Sequence, residues 1–292
     1  GGFYENIPRM LPDGIHAVVK KDSYEVPAIF KLMQKTGNIE EQMMYNTFNM
    51  GLGMVLAVDE KDVEEFDKQF PPKIKEKNET VISSYTHAVR FGNRPILIGE
   101  RINPTGKKRF QQALRENDIS YVLSQAIEQT DAGADILDVN AGMPGIDEKE
   151  MMVRLVKAIQ SVTDVPLQLD STKPEVLEAA LRVYNGKPVV NSVNGEQASL
   201  DAILPLCKKY GAAVVGLTLD ENGIPDKADG RFRIAERILD SAKKAGIPER
   251  DVYIDCLTLT VSAEQSGAQE TLKALNRVKT ELGLKTVLGV SN

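Results

Sequence analysis

From Pro95 onward two rhythms of apolar and polar positions take turns along the chain. Short β-branched runs occur at "PILIGER", "ADILDVN", "PLQLD", "KPVVNSV", "AAVVGLTL", "DVYIDCLTL" and "TVLGVSN". Between them lie stretches whose apolar residues recur at helical spacing: "DISYVLSQAIEQTDAG", "EKEMMVRLVKAIQSV", "PEVLEAALRVY", "LDAILPLCKKYG", "GRFRIAERILDSAKKAG" and "AQETLKALNRVKTELG". In the fifth, Phe232, Ala235, Ile238, Leu239 and Ala242 make one stripe, with the charges opposite. Continuous apolar strands alternating with helices predict a parallel sheet covered on its faces. The fold class is α/β, of the (β/α)8 TIM-barrel type, which runs to ~250 residues. The pattern supplies seven strands, so the barrel is expected to be truncated after strand seven, lacking strand eight and its helix.

Residues 1–66 follow a different pattern and predict a small α+β fragment. "ENIPRMLPDG" reads as a short helix interrupted by proline, "VPAIFKLMQKTG" and "IEEQMMYNTFNMG" as helices, and "IHAVVKK" and "GMVLAVD" as strands. The polar stretch "DKQFPPKIKEKNET", residues 67–80, carries adjacent prolines and is expected to be a linker. Residues 81–292 then form the barrel.

Composition narrows the function. Of the 292 residues 42% are hydrophobic and 27% charged, a balance that permits a sizeable buried core. A net charge of −6 argues against a nucleic-acid partner, which calls for a basic face. No apolar run approaches the roughly 18 residues of a membrane span, and no signal peptide is visible, so a cytoplasmic setting is expected. Two cysteines, Cys207 and Cys256, are too few for a disulfide framework or zinc cluster. His16 and His87 lie outside the barrel rhythm. The Gly-x-Gly of "NMGLGM" leads into an expected strand rather than a helix, the reverse of a dinucleotide fingerprint.

Candidate chemistry follows from the fold, because barrels and open parallel sheets bind ligands beyond the carboxyl ends of their strands. Those ends carry Glu100 and Asn103, Asp138 and Asn140, Asp170, Asn191 and Asn194, Asp255, and Ser291 and Asn292. Acids and amides together offer a flat ligand edge alternating donors and acceptors, which suggests a polar heteroaromatic ring. Blander readings stand beside this one. Asp170 opens "DSTKPEV", where Asp, Ser or Thr caps a helix begun by Pro174. Asp138 and Asn140 would orient loops, and the Arg101–Asn103 segment would lock the first loop. Asn191 and Asp255 resist such readings, since a polar group in a buried strand costs ~1–3 kcal/mol without partners.

"IGERINPTG", "LDVNAG", "LQLDST", "VNSVNG", "GLTLDENGIP", "YIDCL" and "TVLGVSN" together resemble the pterin-binding methyltransferase family. Its members include the folate-binding domain of cobalamin-dependent methionine synthase and the methyltetrahydrofolate:corrinoid methyltransferases. The resemblance covers about residues 80–292. It implies a barrel that holds 5-methyltetrahydrofolate in its carboxyl-end mouth and passes the N5-methyl group to Co(I) cobalamin on a separate domain or protein. By the same resemblance Asp170, Asn191 and Asp255 hold the pterin edge and Asp138 belongs to the pocket floor. Asn292 lies near N5, so Asn292 and Asp170 are the catalytic candidates; Glu100, Asn103 and Asn140 are further pocket candidates, and no metal is expected. The implied partners are a corrinoid-carrying domain or protein and, in the parent enzymes, a homocysteine-binding domain. An open barrel edge would also allow self-association.

Residues 1–66 resemble the carboxyl-terminal part of phosphoribosylformylglycinamidine cyclo-ligase (aminoimidazole ribonucleotide synthetase), through "GGFYENIPRMLPDG" and "VPAIFKLMQKTGNIEEQMMYNTFNMGLGMVLAV". Beside the methyltransferase expectation stand a binding-only folate module, a cyclo-ligase fragment and a dihydropteroate synthase-like enzyme.

Overall fold

The computed structural model describes residues 1–69, 78–92, 94–258 and 265–289. The chain divides into two compact units, Gly1–Glu76 and Lys77–Asn292.

The first unit contains α1 (Phe3–Asn6), α2 (Ala28–Gly37), α3 (Glu41–Thr47) and α4 (Val63–Gln69). Its core gathers Phe3, Ile7, Met44, Tyr45 and Met50, with Phe30 and Met33 of α2 packed at the margin. Phe3 meets Tyr45 edge-on at 5.3 Å, the geometry that aromatic quadrupoles favour. α2 stops at Asn38, whose left-handed backbone (φ +48°) returns its N–H to the Gln34 carbonyl. The Gly-x-Gly of "NMGLGM" is a turn, in which Asn49 Oδ1 accepts the Gly51 N–H at 3.1 Å.

The two strands expected here do not form. Residues 15–21 and 53–59 carry no strand, and Val18 and Met54 are 89% and 78% exposed. Apolar alternation is not sufficient for a strand, because its N–H and C=O groups need a ladder partner. Among the described residues the first unit offers none. The stretch expected as a linker begins inside α4 and ends at Thr80, whose hydroxyl donates to the Arg250 carbonyl at 3.1 Å.

The second unit opens with an antiparallel hairpin, β1 (Val81–Ser83) and β2 (Ala88–Arg90). Then come β3 (Ile98–Ile102), α5 (Lys108–Glu116), α6 (Ile119–Asp131), β4 (Ile136–Asn140), α7 (Glu148–Ile159), β5 (Leu167–Asp170) and α8 (Pro174–Val183). The rest follows in the same alternation: β6 (Val189–Asn194), α9 (Gln197–Tyr210), β7 (Ala213–Leu217), α10 (Ala228–Lys244), β8 (Val252–Asp255), α11 (Gln265–Glu281) and β9 (Lys285–Val287). The seven strands β3 to β9 pair in chain order and all run parallel. They form an open half-barrel of the TIM-like kind. Helix starts obey local chemistry: Asp118 and Asp147 cap α6 and α7, accepting the Tyr121 and Glu150 N–H groups, and Pro174 occupies the first turn of α8.

Strand side chains alternate between two apolar layers. Leu137, Val139, Leu167, Leu169, Val190, Val214 and Ile254 face the helices, meeting Leu155, Val156, Leu177, Leu200, Ile203 and Ile238. Ile136, Val189, Ala213, Val215 and Tyr253 face the lumen. Each such Leu, Ile or Val removed from water contributes ~1.5–3 kcal/mol. The hairpin stoppers the lumen from the amino end, with Ile82 and Val89 in the same cluster and Phe91 stacked on Tyr253 at 5.1 Å. Ser83 and Lys187 exchange backbone hydrogen bonds of 2.9 Å, and the Tyr184 hydroxyl donates to the Ser83 carbonyl at 2.8 Å. Gly186 permits this approach: its φ is +123°, and a Cβ there would lie 2.3 Å from the Ser83 carbonyl oxygen. With one end sealed, the carboxyl ends of the strands form the mouth.

Candidate functional site

The lumenal rows change character along their length. On β4 the row runs Ile136, Asp138, Asn140; on β5, Gln168, Asp170; on β6, Val189, Asn191; on β8, Tyr253, Asp255. An apolar floor thus gives way to acids and amides at the carboxyl end, two residues apart because strand side chains alternate. Register brings the polar tips side by side, with Asp138 opposite Gln168, Asn140 opposite Asp170, and Asp170 opposite Asn191.

These groups bond to one another. Asn140 Nδ2 donates to Asp170 Oδ2 at 2.8 Å, while Asn140 Oδ1 accepts the Gly142 N–H at 2.7 Å. Gln168 Nε2 donates to Asp138 Oδ1 at 2.6 Å, and the Asn191 amide lies near enough to favour the ionised form of Asp138. Asp255 stands on the same face, two strands beyond Asn191 and one lumenal step nearer the carboxyl end, since Asn191 aligns with Val215 and Val215 with Tyr253. Its Oδ1 accepts the Leu257 N–H at 2.7 Å.

Burial dominates the electrostatics. Asp138 is 3% exposed. Burial first, and the Asp170 charge next, push its carboxyl up from 3.8 to about 7 against the pull of the Gln168 and Asn191 amides. Asp170 is also raised, by burial and by the charges of Glu100 and Glu148, against its bond from Asn140. Burial raises Asp255 as well, opposed by the Leu257 N–H. Among the described residues none of the three acids pairs with Lys or Arg. The mouth therefore favours a ligand that brings hydrogen-bond donors or positive charge.

Several expectations take a different shape. Asp170 does not cap α8; the cap position is Lys173, which offers no side-chain bond, and Ser171 Oγ accepts the Lys173 N–H at 3.2 Å. Asn140 both orients a loop and belongs to the polar row. Asn103 lies beyond β3, where its side chain accepts the Thr105 N–H at 2.9 Å, so it serves the turn. Glu100 is exposed at the rim and takes Lys107 Nζ on its carbonyl at 2.7 Å and on its carboxylate at 3.4 Å. Asn194 turns the chain, accepting the Glu196 N–H at 2.9 Å. Ser291 and Asn292 lie outside the described residues.

Two residues that the sequence patterns did not single out complete the site. Gln168 sits two positions before Asp170, and that spacing alone puts it on the lumenal face. Arg231, on the α10 face read as charged and outward, is instead 2% exposed. Its guanidinium donates to the carbonyls of Pro225, Cys256 and Leu257 at 2.8, 2.9 and 3.0 Å and to Thr271 Oγ1 at 2.6 Å. Those bonds pin the segment after β8, where Leu257 holds a left-handed backbone (φ +56°) unusual for a branched side chain. The Leu257 N–H in turn holds Asp255. Neighbouring Cys256 is buried and its thiol pushed up to about 12, by burial first and the Asp255 charge next, so it stays protonated. Among the described residues no group of His, Cys, Asp and Glu could hold a metal ion, and no helix is long and apolar enough to cross a membrane.

Comparison with known proteins divides the chain in two. A family profile described as "AIR synthase related protein, C-terminal domain" matches residues 1–71. The phosphoribosylformylglycinamidine cyclo-ligase of Lachnospira eligens is 75% identical over 64 residues, 22% of this chain and 19% of that protein. The methionine synthases of Mycobacterium leprae and Mycobacterium tuberculosis are each 34% identical over 227 residues, 73% of this chain and 19% of theirs. The chain thus spans about a fifth of the length of the curated relatives it matches. Among solved structures, dihydropteroate synthase from Xanthomonas albilineans with 4-aminobenzoic acid is similar at a TM-score of 0.56 and 22% identity. That match covers 73% of this chain and 77% of the other and shows a shared fold. A dihydropteroate synthase from Thermus thermophilus gives 0.54 at 25% identity, over 72% and 77% of the two chains. The profile described as "Pterin binding enzyme" matches residues 99–292, from the first parallel strand to the final residue, and the chain belongs to that family.

Proposed function

We propose that the barrel binds 5-methyltetrahydrofolate in its mouth and presents the N5-methyl group to Co(I) cobalamin held by a separate domain or protein. The observation that carries this reading is the contiguous row Asp138, Asn140, Asp170 and Asn191, in which Asn140 bonds Asp170 and Gln168 bonds Asp138, with no basic partner among the described residues. A pterin presents an amino group and ring N–H groups along one edge, the donors such a row accepts, while the side-chain amides match its ring acceptors. The 34% identity to methionine synthases over 227 residues supports methyl transfer over dihydropteroate synthesis, for which the similarity is one of fold.

The chain's own residues have three tasks. Asp138 and Asp170 accept from the donor edge; Asn140 and Asn191 hold those carboxylates and fix the ring's orientation; Asp255, steadied by Leu257, closes the far side. The corrinoid supplies the nucleophile that takes the methyl group. The bonding electrons stay on N5 when the methyl group leaves, so N5 has to take up a proton before or as that bond breaks, and the acid-rich mouth stabilises the protonated amine without fixing a cation of its own. The resemblance assigns the position nearest N5 to Asn292. No activity is assigned to residues 1–71.

Calorimetric titration of the purified chain with 5-methyltetrahydrofolate, 4-aminobenzoate and ATP tests the reading, followed by methyl transfer to added Co(I) cobalamin measured by absorbance. Folate binding with transfer is the expected result. Folate binding without transfer leaves a binding module. Saturable binding of 4-aminobenzoate or ATP, with none of folate, overturns the proposal.

A further inference from the structure

We propose that Gln168 is a positioning residue for the site, its side-chain amide fixing the Asp138 carboxylate as an acceptor for the ligand's donor edge. The inference rests on the folate reading for the identity of the ligand, but the contact itself does not depend on it.

Three observations carry the inference. Gln168 and Asp138 face each other in register across β4 and β5, both are nine-tenths or more buried, and Nε2 reaches Oδ1 at 2.6 Å. The other end of the same amide has no partner among the described residues: Gln168 Oε1 is buried there without a hydrogen bond. An unpaired buried acceptor is destabilising, and an apolar side chain of similar volume would avoid it. Packing stability therefore does not account for an amide at this position. The hydrogen bond to Asp138 does.

The surroundings explain why that bond matters. Two negative groups face Asp138, Asp170 from β5 and Glu100 from β3; two amides oppose them, Gln168 from β5 and Asn191 from β6. Among the described residues no Lys or Arg bonds to Asp138. With only two neutral donors holding the ionised form, losing one has a large effect.

The test is direct. The full chain is labelled with carboxyl-13C aspartate, and the Asp138 signal, assigned by its loss in Asp138→Asn, is followed from pH 4 to 10. Removing a donor to the ionised form raises the titration midpoint. Gln168→Met is therefore expected to move it upward by about one pH unit or more. Gln168→Glu, which keeps the shape but adds a negative charge, is expected to move it further. Affinity for 5-methyltetrahydrofolate at pH 7 should fall severalfold in both variants and recover as the pH rises past the new midpoint. Equal midpoints in wild type and both variants overturn the proposal, as does weakened binding by the same factor at every pH. If Gln168→Met does not fold, the near-isosteric Gln168→Glu decides the matter. Shifted midpoints in chains that bind no folate leave the role of Gln168 intact and refute the folate reading alone.

Discussion

Replacing Asp138 by Asn should make the unliganded chain more stable while weakening its binding, and the size of the gain depends on pH. Asp138 takes its proton at about 7 in the folded chain, against an ordinary 3.8. The folded state thus holds this proton more tightly than the unfolded state does. The stability associated with it is fully present below pH ~4 and is lost as pH rises through about 7. At ~1.36 kcal/mol per pH unit, the ionised side chain weakens the fold by roughly 4 kcal/mol at pH 8. That figure is an upper bound, because an Asn at this position must still fit between the Gln168 and Asn191 amides. A gain of about 2–4 kcal/mol corresponds to a rise in Tm of roughly 5–15 °C for a barrel of this size.

The assay is thermal unfolding of wild type and Asp138→Asn by circular dichroism at several values between pH 5 and 8.5. The difference in Tm should be least at pH 5, where roughly a third of it is already present, and should grow until it levels above pH 7. The same variant should bind 5-methyltetrahydrofolate about tenfold or more weakly at pH 8, having lost a charged acceptor. A Tm difference that stays constant across the range would refute the reasoning, since it would show that Asp138 does not titrate as its burial requires.

Two further outcomes follow from the same site. Asp170→Ala should weaken folate binding by ~1–3 kcal/mol in calorimetry, the scale for one charge-assisted partner, and should lower the Asp138 midpoint, because the Asp170 charge is among the causes that raise it; unchanged affinity would leave Asp170 as no more than a partner of Asn140. Arg231→Met should destabilise the chain by roughly 2–4 kcal/mol, taking the guanidinium from the Pro225 and Cys256 carbonyls and leaving Thr271 as the donor to Leu257, and should speed hydrogen exchange at the Leu257 amide beyond that of the barrel strands; uniform exchange acceleration would show that Arg231 supports the fold without a special hold on the segment after β8.

The seven parallel strands and α6 to α11 were legible because a two-layered barrel imposes period two on every strand and period 3.6 on every helix. β1 and β2 were not: at three residues each they are too short to display an alternation. α5 hid behind the polar run "NPTGKKR", which reads as loop until its apolar face, Phe110, Ala113 and Leu114, is seen buried. The opposite error occurred at 15–21 and 53–59, where a short apolar run was present but a ladder partner among the described residues was not. For the candidate site, strand-end logic named Asp138, Asn140, Asp170 and Asn191, which the sheet register sets side by side. It stopped one lumenal step short of Gln168, because it considered tips rather than faces. Arg231 was out of reach, since a basic residue on an amphipathic helix is ordinarily solvated; only the tertiary placement of the carbonyls after β7 and β8 makes its burial intelligible.

Arg231 also sharpens the meaning of the acids. Among the described residues it is the one buried cation in the barrel, and its bonds go to backbone carbonyls and Thr271. Asp255 lies next to one of those carbonyls in sequence, yet its carboxylate is met by a backbone N–H. A fold arranged only for its own stability would pair buried opposite charges, because a buried carboxylate without a cation is costly. Here the cation fixes the loop geometry around the mouth, and among the described residues the acids within it have amides and N–H groups as partners. A ligand that brings positive charge or a donor edge would relieve them. That division favours a ligand able to supply several N–H donors at once and to take up a proton during reaction, which is what a pterin needs at N5 for its methyl group to leave.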